Sequence, residues 1–202
     1  MKPLAIDLYC GLGGWCEGLL YAGYRVIGFD ITRHNYGSGG YPGQMVLQDV
    51  RTLDGSQFLD AALIVASPPC QAYSYSAMPW SRTKHLPAPS NELFDACFRI
   101  QKEACLAARK FIPLIVENVR GAQKWVGRAR WHYGSYYLWG DVPALMPFTG
   151  TIDNGFKGFA QRFEDTPFAR YGSRSVARRE SSARIAMIPA VLGQWIGQVY
   201  RP

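Results

Sequence analysis

Residues 4–31, LAIDLYCGLGGWCEGLLYAGYRVIGFDI, contain the pattern that decides the fold. The stretch opens with a short apolar run, LAIDLYC, which indicates a buried strand, and it closes with a second such run, RVIGFDI (25–31). Between them, apolar residues recur at helical spacing until Gly23, which ends the helix. A strand, a glycine turn, a helix and another strand in this order predict one unit of an α/β fold.

The same alternation continues to residue 119. Further strands are predicted at MVLQDV (45–50), ALIVAS (62–67) and PLIVENV (113–119). A long helix, ELFDACFRIQKEACLAARK, follows Asn91, which can cap it. Near-continuous apolar strands that alternate with helices are typical of a mostly parallel sheet with helices on both faces. The fold class predicted is therefore Rossmann-like α/β.

The chain changes character after residue 120. RWHYGSYYLWG (130–140) predicts a β-hairpin or two edge strands, whereas residues 151–180 are rich in Gly, Arg and aromatics and show little periodicity. Near the end, Pro189 suits a first helical position, and the apolar residues that follow repeat at helical spacing. A small basic β and loop appendage, followed by a C-terminal helix, is therefore expected.

Composition limits the class of protein. The chain has 202 residues, 48% hydrophobic and 18% charged, which favours one folded domain with a packed core. No apolar run approaches the roughly 20 residues that cross a bilayer, and the N-terminal run is too short for a signal peptide. The five cysteines are odd in number and include no C-x-x-C pair, so neither a disulfide framework nor a zinc site is expected. We expect a soluble cytoplasmic protein without a bound metal.

The positive charge is concentrated in one part of the chain. Residues 1–119 hold 10 Lys+Arg and 10 Asp+Glu, whereas residues 120–202 hold 12 and 5, so the whole net charge of +7 lies there. A basic segment of this kind is typical of a nucleic-acid-binding protein, although a solvated basic face is as compatible with the charge alone.

Glycines and acidic residues mark the predicted carboxyl ends of the first three strands. The turn in DLYCGLGGW (7–15) allows a ligand to approach the backbone, but it is neither a G-x-G-x-x-G fingerprint nor a P-loop. Asp30 ends the second strand, where a carboxylate can bind ribose hydroxyls, and Asp49 follows the third, where it could accept from an adenine amino group. Together they predict a cofactor crevice, although each alone is more typical of a cap or turn.

SPPCQ (67–71) and VENV (116–119) supply reactive side chains at the same predicted edge. Cys70 follows the fourth strand, and Glu117 ends the fifth. A thiolate can add to C6 of a pyrimidine while an acid holds or protonates N3, which makes C5 nucleophilic enough to accept a methyl group. A core cysteine and a helix-capping carboxylate are the alternatives for each residue taken singly.

These motifs, in this order, resemble those of the cytosine-C5 DNA methyltransferases. DLYCGLGGWCEGLLYAGYRVIGFDI resembles the family's first two S-adenosylmethionine motifs, SPPCQAYS its catalytic motif and ENV its ENV motif. The resemblance implies methyl transfer from S-adenosylmethionine to C5 of cytosine in DNA, with a flipped target base and S-adenosylhomocysteine as product. It implies Cys70 as nucleophile and Glu117 as the N3 partner, with a positioning role for Asn118 and a pocket shaped by Pro69 and Gln71.

The resemblance also assigns the remaining site. It implies that Trp15, where the family usually has Phe, stacks near the adenine or sulfonium, and that Ser182 lies in a loosely matched last motif. The implied cofactor-binding residues are Asp7, Tyr9, Gly11, Leu12, Gly13, Gly14, Trp15, Asp30, Ile31, Asp49, Val50, Pro68 and Ser182. The implied DNA contacts are Ser74, Arg82, Lys84, Arg128, Arg130 and Arg174, of which Arg82 and Lys84 lie in a loop predicted to close over DNA.

The chain also departs from the family. The Q-x-R-x-R motif is not clearly present, although Arg128 and Arg130 are candidates for it, and only about 60 residues separate ENV from the last helix instead of a large recognition domain. We predict a catalytic cofactor domain at 1–120, a reduced basic recognition segment at 121–180 and a completing helix at 181–202. Arginines in the basic segment would mostly contact phosphates: Arg162, Arg170, Arg174, Arg178 and Arg179.

Several alternatives remain open on the sequence alone. The same chemistry could act on RNA or a free pyrimidine nucleotide, or the chain could be a non-catalytic cofactor- and DNA-binding module that needs a partner chain. The compact size suggests a phage or prophage enzyme in a bacterial cytoplasm and is compatible with a monomer. Self-protection within restriction-modification and regulation are both compatible with it.

Overall fold

The computed structural model describes residues 1–34, 40–74, 88–146 and 187–202. Their framework is one seven-stranded sheet in the order β3-β2-β1-β4-β5-β7-β6. The first five strands are parallel, while β7 runs antiparallel to both β5 and β6. The strands are β1 (Leu4–Leu8), β2 (Arg25–Asp30), β3 (Gln44–Leu47), β4 (Ala61–Ala66), β5 (Leu114–Asn118), β6 (Trp131–Tyr133) and β7 (Tyr136–Gly140).

Helices cover both faces of this sheet. They are α1 (Gly14–Tyr21), α2 (Glu92–Ala108), the one-turn α3 (Gln123–Val126) and α4 (Ala190–Val199). One hydrophobic core lies beneath α2, and a second lies beneath α1 and α4. The prediction of a mostly parallel Rossmann-like sheet with helices on both faces is therefore confirmed. Within the part of the chain that the structure describes, no helix is both long enough and apolar enough to cross a membrane.

The predicted hairpin at 130–140 is integrated into the central sheet. β7 pairs with β5 from Ile115 opposite Gly140 to Asn118 opposite Tyr137, and β6 lies outside it. The described part of the predicted recognition segment, 121–146, therefore extends the sheet of the predicted catalytic domain. Its function as a separate recognition segment stays a prediction.

Some element boundaries differ from those that the sequence predicts. β1 ends at Leu8 because Tyr9 takes a left-handed conformation with φ of 59°. Asp49 and Val50 lie beyond β3, where Asp49 caps a 3₁₀ turn, Val50–Thr52, by accepting from the Arg51 N–H at 2.9 Å. Short polar caps of this kind interrupt an apolar run without changing its hydrophobic pattern.

Candidate active site

The carboxyl ends of β4 and β5 bring the predicted catalytic residues together. β4 ends at Ala66, which pairs with Val116 of β5, so Ser67 and Glu117 follow side by side on neighbouring strands. Ser67 begins the segment Ser-Pro-Pro-Cys, in which Pro68 is buried, Pro69 is exposed and Cys70 is partly exposed. The parallel pairing of two strands distant in sequence thus places the thiol near the carboxyl group.

The pKa of Cys70 shows that these two groups interact. Burial raises the pKa of the Cys70 thiol above its ordinary value, and the negative charge of Glu117 raises it further. A thiol in this setting is protonated at neutral pH unless a nearby group or ligand changes its surroundings. Cys70 is therefore most nucleophilic when the Glu117 carboxyl carries a proton.

Glu117 itself favours that protonated form. Burial raises its pKa from 4.5 to about 8, while a hydrogen bond from the Ser67 side chain opposes the rise. Tyr136 on β7 is near enough for the Glu117 charge to raise the pKa of its phenol as well. At neutral pH the carboxyl group is largely neutral, so it can donate a hydrogen bond to an acceptor in the crevice.

The loop that carries Cys70 is held by side chains and backbone on both sides. The Asn118 amide, buried at the end of β5, donates to the Pro68 carbonyl oxygen at 2.9 Å. The Ser67 N–H donates to the Leu8 carbonyl of β1 at 3.1 Å, and the Tyr73 N–H closes a turn on the Cys70 carbonyl at 2.9 Å. The positioning role predicted for Asn118 corresponds to the first of these bonds.

The predicted cofactor crevice lies at the same edge, beyond β1 and β2. Gly11 and Gly13 have φ of 49° and 90°, values that favour glycine over residues with a Cβ. The Gly11 N–H donates to Asp30 Oδ2 at 3.0 Å, and α1 begins directly after Gly13 without a side-chain cap. A glycine turn, an uncapped helix start and a carboxylate at the end of β2 are arranged as a nucleoside-bearing cofactor requires.

Asp7 provides a test of whether these residues suit S-adenosylmethionine. Its side chain is buried at the end of β1, and burial raises its pKa to about 8 despite the hydrogen bond from the Tyr41 hydroxyl at 2.9 Å. That bond uses Oδ2, whereas Oδ1 has no partner among the described residues. A buried acceptor without a partner next to the glycine turn fits an ammonium group such as that of the methionine moiety.

The remaining predicted cofactor residues occupy varied positions. Ile31 is 71% exposed just beyond β2, while Val50 is buried. The Asp49 carboxylate forms an ion pair with Arg51, with 2.6 Å between Oδ2 and Nη2. Leu12 is half-buried in the glycine turn, and the Tyr9 hydroxyl donates to the Leu93 carbonyl oxygen at 2.9 Å. Contact of each of these residues with a cofactor stays a prediction.

Trp15 is placed differently from an exposed stacking residue. Its side chain is 2% exposed in the core beneath α1, and its indole Nε1 donates to Ser67 Oγ at 3.0 Å. The side chain therefore connects the glycine turn with the segment that carries Cys70. Stacking on a cofactor stays a prediction for this residue.

The predicted DNA contacts do not all lie at this edge. Arg128 and Arg130 line a separate cavity of about 460 Å³ between α2 and β7, together with Asp95 and Asp141. Gln71 is exposed and Ser74 partly exposed beside Cys70. Arg82, Lys84, Arg174 and Ser182 lie outside the described residues.

Three residues of the site were not singled out from the sequence: Ser67, Tyr41 and Tyr136. Ser67 stands inside the SPPCQ motif, whose neighbours attract attention first. Tyr41 precedes β3, which pairs with β2, and its ring passes over Gly28 of β2 to reach Asp7 of β1. Tyr136 begins β7, which pairs with β5 and so brings its phenol near Glu117. The chain pattern contains no feature that would have identified the two tyrosines.

The comparisons with known proteins agree with this geometry. The fold and the crevice define a Rossmann-like methyltransferase fold. A family model described as C-5 cytosine-specific DNA methylase matches residues 4–126, more than half of the chain. The chain belongs to this family, which confirms the resemblance recognised from its motifs.

Solved structures similar to this chain include methyltransferases of several kinds. One is described as a DNA modification methyltransferase encoded within an Escherichia coli prophage; it is 24% identical, covers 62% of this chain and 34% of its own, and has a TM-score of 0.43. Another is the Schizosaccharomyces pombe Dnmt2 methyltransferase, which is 20% identical and has a TM-score of 0.40. The match covers 61% of this chain and 36% of the Dnmt2 chain. The chain thus spans about a third of the length of these structures. No curated protein matches the chain significantly.

Proposed function

We propose that the chain transfers a methyl group from S-adenosylmethionine to C5 of cytosine in DNA through a covalent bond between Cys70 and C6. The observation that carries this proposal is the placement of the Cys70 thiol beside a Glu117 carboxyl group whose pKa is about 8. The basic composition of residues 120–202 favours a polyanionic substrate such as DNA. Membership in the family supports the type of reaction.

The first step joins the enzyme to the base. After the Cys70 thiol releases its proton to water, the thiolate forms a bond to C6 and the electrons of the C5–C6 double bond move toward C5, while Glu117 gives its proton to N3. Because Glu117 is protonated near neutral pH, it can neutralise the charge that develops in the ring. When Glu117 is neutral, its charge no longer raises the pKa of the Cys70 thiol, so the thiolate forms more readily.

The second step uses the crevice beyond β1 and β2. S-adenosylmethionine supplies an electrophilic methyl group when it is bound there. Asp7 would hold its ammonium through the unpartnered Oδ1, the glycine turn would lie against its methionine moiety, and Asp30 would accept from its ribose hydroxyls. Once C5 carries the methyl group, the C5 proton is released to water, the Cys70 thiolate leaves C6 as the C5–C6 double bond forms again, and Glu117 recovers the N3 proton.

Mass spectrometry of nucleosides tests this proposal. DNA from a host without cytosine methylation would be digested after expression of the wild-type chain, of Cys70→Ala and of Cys105→Ala. Cys105 is a partly buried cysteine on α2 and serves as the matched control. We expect 5-methylcytosine with the wild type and with Cys105→Ala, and none with Cys70→Ala.

The tRNA and the free nucleotides of the same cells, analysed in the same way, identify the substrate class. Methylated cytosine in tRNA or in free nucleotides, without any in DNA, would overturn the DNA assignment while keeping the reaction type. A Cys70→Ala variant that still methylates DNA would overturn the covalent mechanism. Purified wild-type protein that binds S-adenosylmethionine but methylates no substrate without a second chain would favour the binding module.

A further inference from the structure

We propose that Trp15 and Ser67 are positioning residues: the Trp15 indole holds the Ser67 hydroxyl so that it donates a hydrogen bond to the Glu117 carboxyl group on the neighbouring strand. This inference rests on the proposed function. The three side chains come from α1, the segment after β4 and the end of β5, and each has a defined place in the fold.

The strand register brings Ser67 and Glu117 together. Ala66 of β4 pairs with Val116 of β5, so the residues that follow, Ser67 and Glu117, lie next to one another with side chains on the same face. Both ends of this arrangement are held: the Ser67 N–H donates to the Leu8 carbonyl, and the Asn118 amide donates to the Pro68 carbonyl. Ser67 therefore cannot move away from Glu117 without breaking backbone pairing.

Trp15 determines which way the Ser67 hydroxyl donates. An indole N–H is a donor only, so the bond of 3.0 Å from Trp15 Nε1 makes Ser67 Oγ the acceptor. The single Ser67 proton is then free for another acceptor, and the strand register makes the neighbouring Glu117 carboxyl the acceptor that we infer. Because Trp15 is 2% exposed and packed in the core, its indole is a fixed donor.

The arrangement has a direct effect on titration. Donation from Ser67 stabilises the carboxylate form, so it lowers the pKa of Glu117 against the larger effect of burial. Among the residues that the structure describes, the other titratable groups that face Glu117 are the Cys70 thiol after β4 and the Tyr136 phenol on β7. Removing the Ser67 hydroxyl leaves these groups in place, so the pKa of Glu117 should rise.

The test compares four variants of the full chain by the pH dependence of kcat/KM for methyl transfer. When one group must be deprotonated and another protonated, the pH optimum is the mean of their two pKa values. A hydrogen bond to a charged group corresponds to about one pKa unit, so Ser67→Ala should move the optimum upward by about half a unit. Trp15→Phe should move it in the same direction by less, and Ser67→Thr, which keeps the hydroxyl, should restore it.

Trp139→Phe is the matched control. Like Trp15, Trp139 is a buried indole donor, but its Nε1 donates to the Gly127 carbonyl oxygen at 2.9 Å. Its side chain packs in the core on the opposite face of the sheet. Loss of this bond costs stability without changing the surroundings of Glu117. A shift in Trp139→Phe equal to that in Ser67→Ala would overturn the inference, since a general structural effect would then explain both.

A second readout separates this inference from the proposed function. Carbon-13 NMR of the Glu117 carboxyl in the free protein measures its pKa without any substrate, and Ser67→Ala should raise it by about one unit. Equal pKa values in the wild type and Ser67→Ala would overturn the positioning role even if methyl transfer is intact. A raised pKa in a protein that methylates nothing would support the hydrogen bond and overturn the proposed function alone.

Discussion

Glu117 combines a proposed catalytic role with an energetic cost to the folded state. Burial raises its pKa from 4.5 to about 8, so the folded protein binds this proton more tightly than the unfolded chain. Below pH 4.5 both states are protonated and the group costs nothing. Between pH 4.5 and 8 the unfolded state releases the proton first, so the free energy of unfolding falls as the pH rises.

Glu117→Gln should remove this pH dependence. Between pH 5 and pH 8, the free energy of unfolding should fall less for the variant than for the wild type. The expected difference is on the order of 1–3 kcal/mol, since partial exposure of Glu117 to solvent reduces the effect of its pKa shift. Urea unfolding at the two pH values measures the difference. Methyl transfer by the variant should be severely reduced, since an amide cannot give a proton to N3.

Asp54→Asn provides a control of opposite sign. Hydrogen bonds from Ser56 lower the pKa of the exposed Asp54, which caps the 3₁₀ turn Gly55–Phe58. The stabilisation from Asp54 is therefore present above its unfolded pKa and disappears as the pH falls through its folded pKa. Because this loss lies below pH 3.8, Asp54→Asn should leave the change in unfolding free energy between pH 5 and pH 8 as it is in the wild type. A change equal to that in Glu117→Gln would show that the assignment of the Glu117 contribution is wrong.

Asn118 acts through the loop that it holds. Asn118→Asp keeps the shape of the side chain but replaces the amide that donates to the Pro68 carbonyl with an oxygen that repels it. We expect a loss of about 1–3 kcal/mol in the free energy of unfolding and at least about a tenfold fall in kcat, because the Cys70 loop moves. Urea unfolding measures the loss of stability and steady-state kinetics measure kcat, and an unchanged kcat would contradict the positioning role.

Packing between α1 and α4 depends on glycine at the contact. A Cβ on Gly18 would meet the Ala190 carbonyl oxygen and lie 2.5 Å from the Gln194 nitrogen, and both are backbone atoms of α4. Neither can yield without moving the helix. Helices α1 and α4 can therefore pack this closely only with glycine at position 18.

Gly18→Ala should reveal this contact through the sign of its effect. Alanine is favoured over glycine in a helix by about 1 kcal/mol, so the variant would be more stable if the helix surface were free. We expect instead a loss of about 1–3 kcal/mol, measured by chemical denaturation, because the added methyl group separates α1 from α4. Glu17→Ala, at an exposed position of the same helix, should change stability by less than about 0.5 kcal/mol.

At the scale of the whole molecule, the charge is unevenly distributed. The excess of positive charge lies in residues 120–202, and it should make affinity for DNA depend on salt. If DNA is the substrate, Arg174→Gln with Arg178→Gln should lower the slope of log affinity against log salt concentration by about one per lost phosphate contact. Fluorescence anisotropy of a labelled duplex across a salt series measures this slope.

A second pair of substitutions controls for net charge. Lys2 and Arg25 are exposed at the amino-terminal edge of the sheet, opposite the edge that holds Cys70. Lys2→Gln with Arg25→Gln removes the same charge and should leave the slope nearly unchanged. Equal losses from the two pairs would show that binding reflects net charge, and the recognition role of the basic segment would then be rejected.

The sequence by itself determined the class of fold and the family, and it predicted the reactive residues. Apolar runs that alternate with a helical pattern predict a parallel sheet because burial on both faces demands such runs. The order of the glycine turn, SPPCQ and ENV motifs identified the family, and the hairpin at 130–140 was predicted from its turn and aromatic residues. These are local properties of the chain, so they can be read without knowing what packs against what.

Only the tertiary structure decided which residues surround the reacting groups. The pairing of β4 with β5 places Ser67 beside Glu117, the packing of α1 directs the Trp15 indole to Ser67, and the position of β3 brings the Tyr41 hydroxyl to Asp7. Arg128 and Arg130, predicted as DNA contacts, line a cavity beside α2 instead of the crevice. Such contacts join residues far apart in sequence, and the raised pKa values of Asp7 and Glu117 follow from burial that only the packed fold creates.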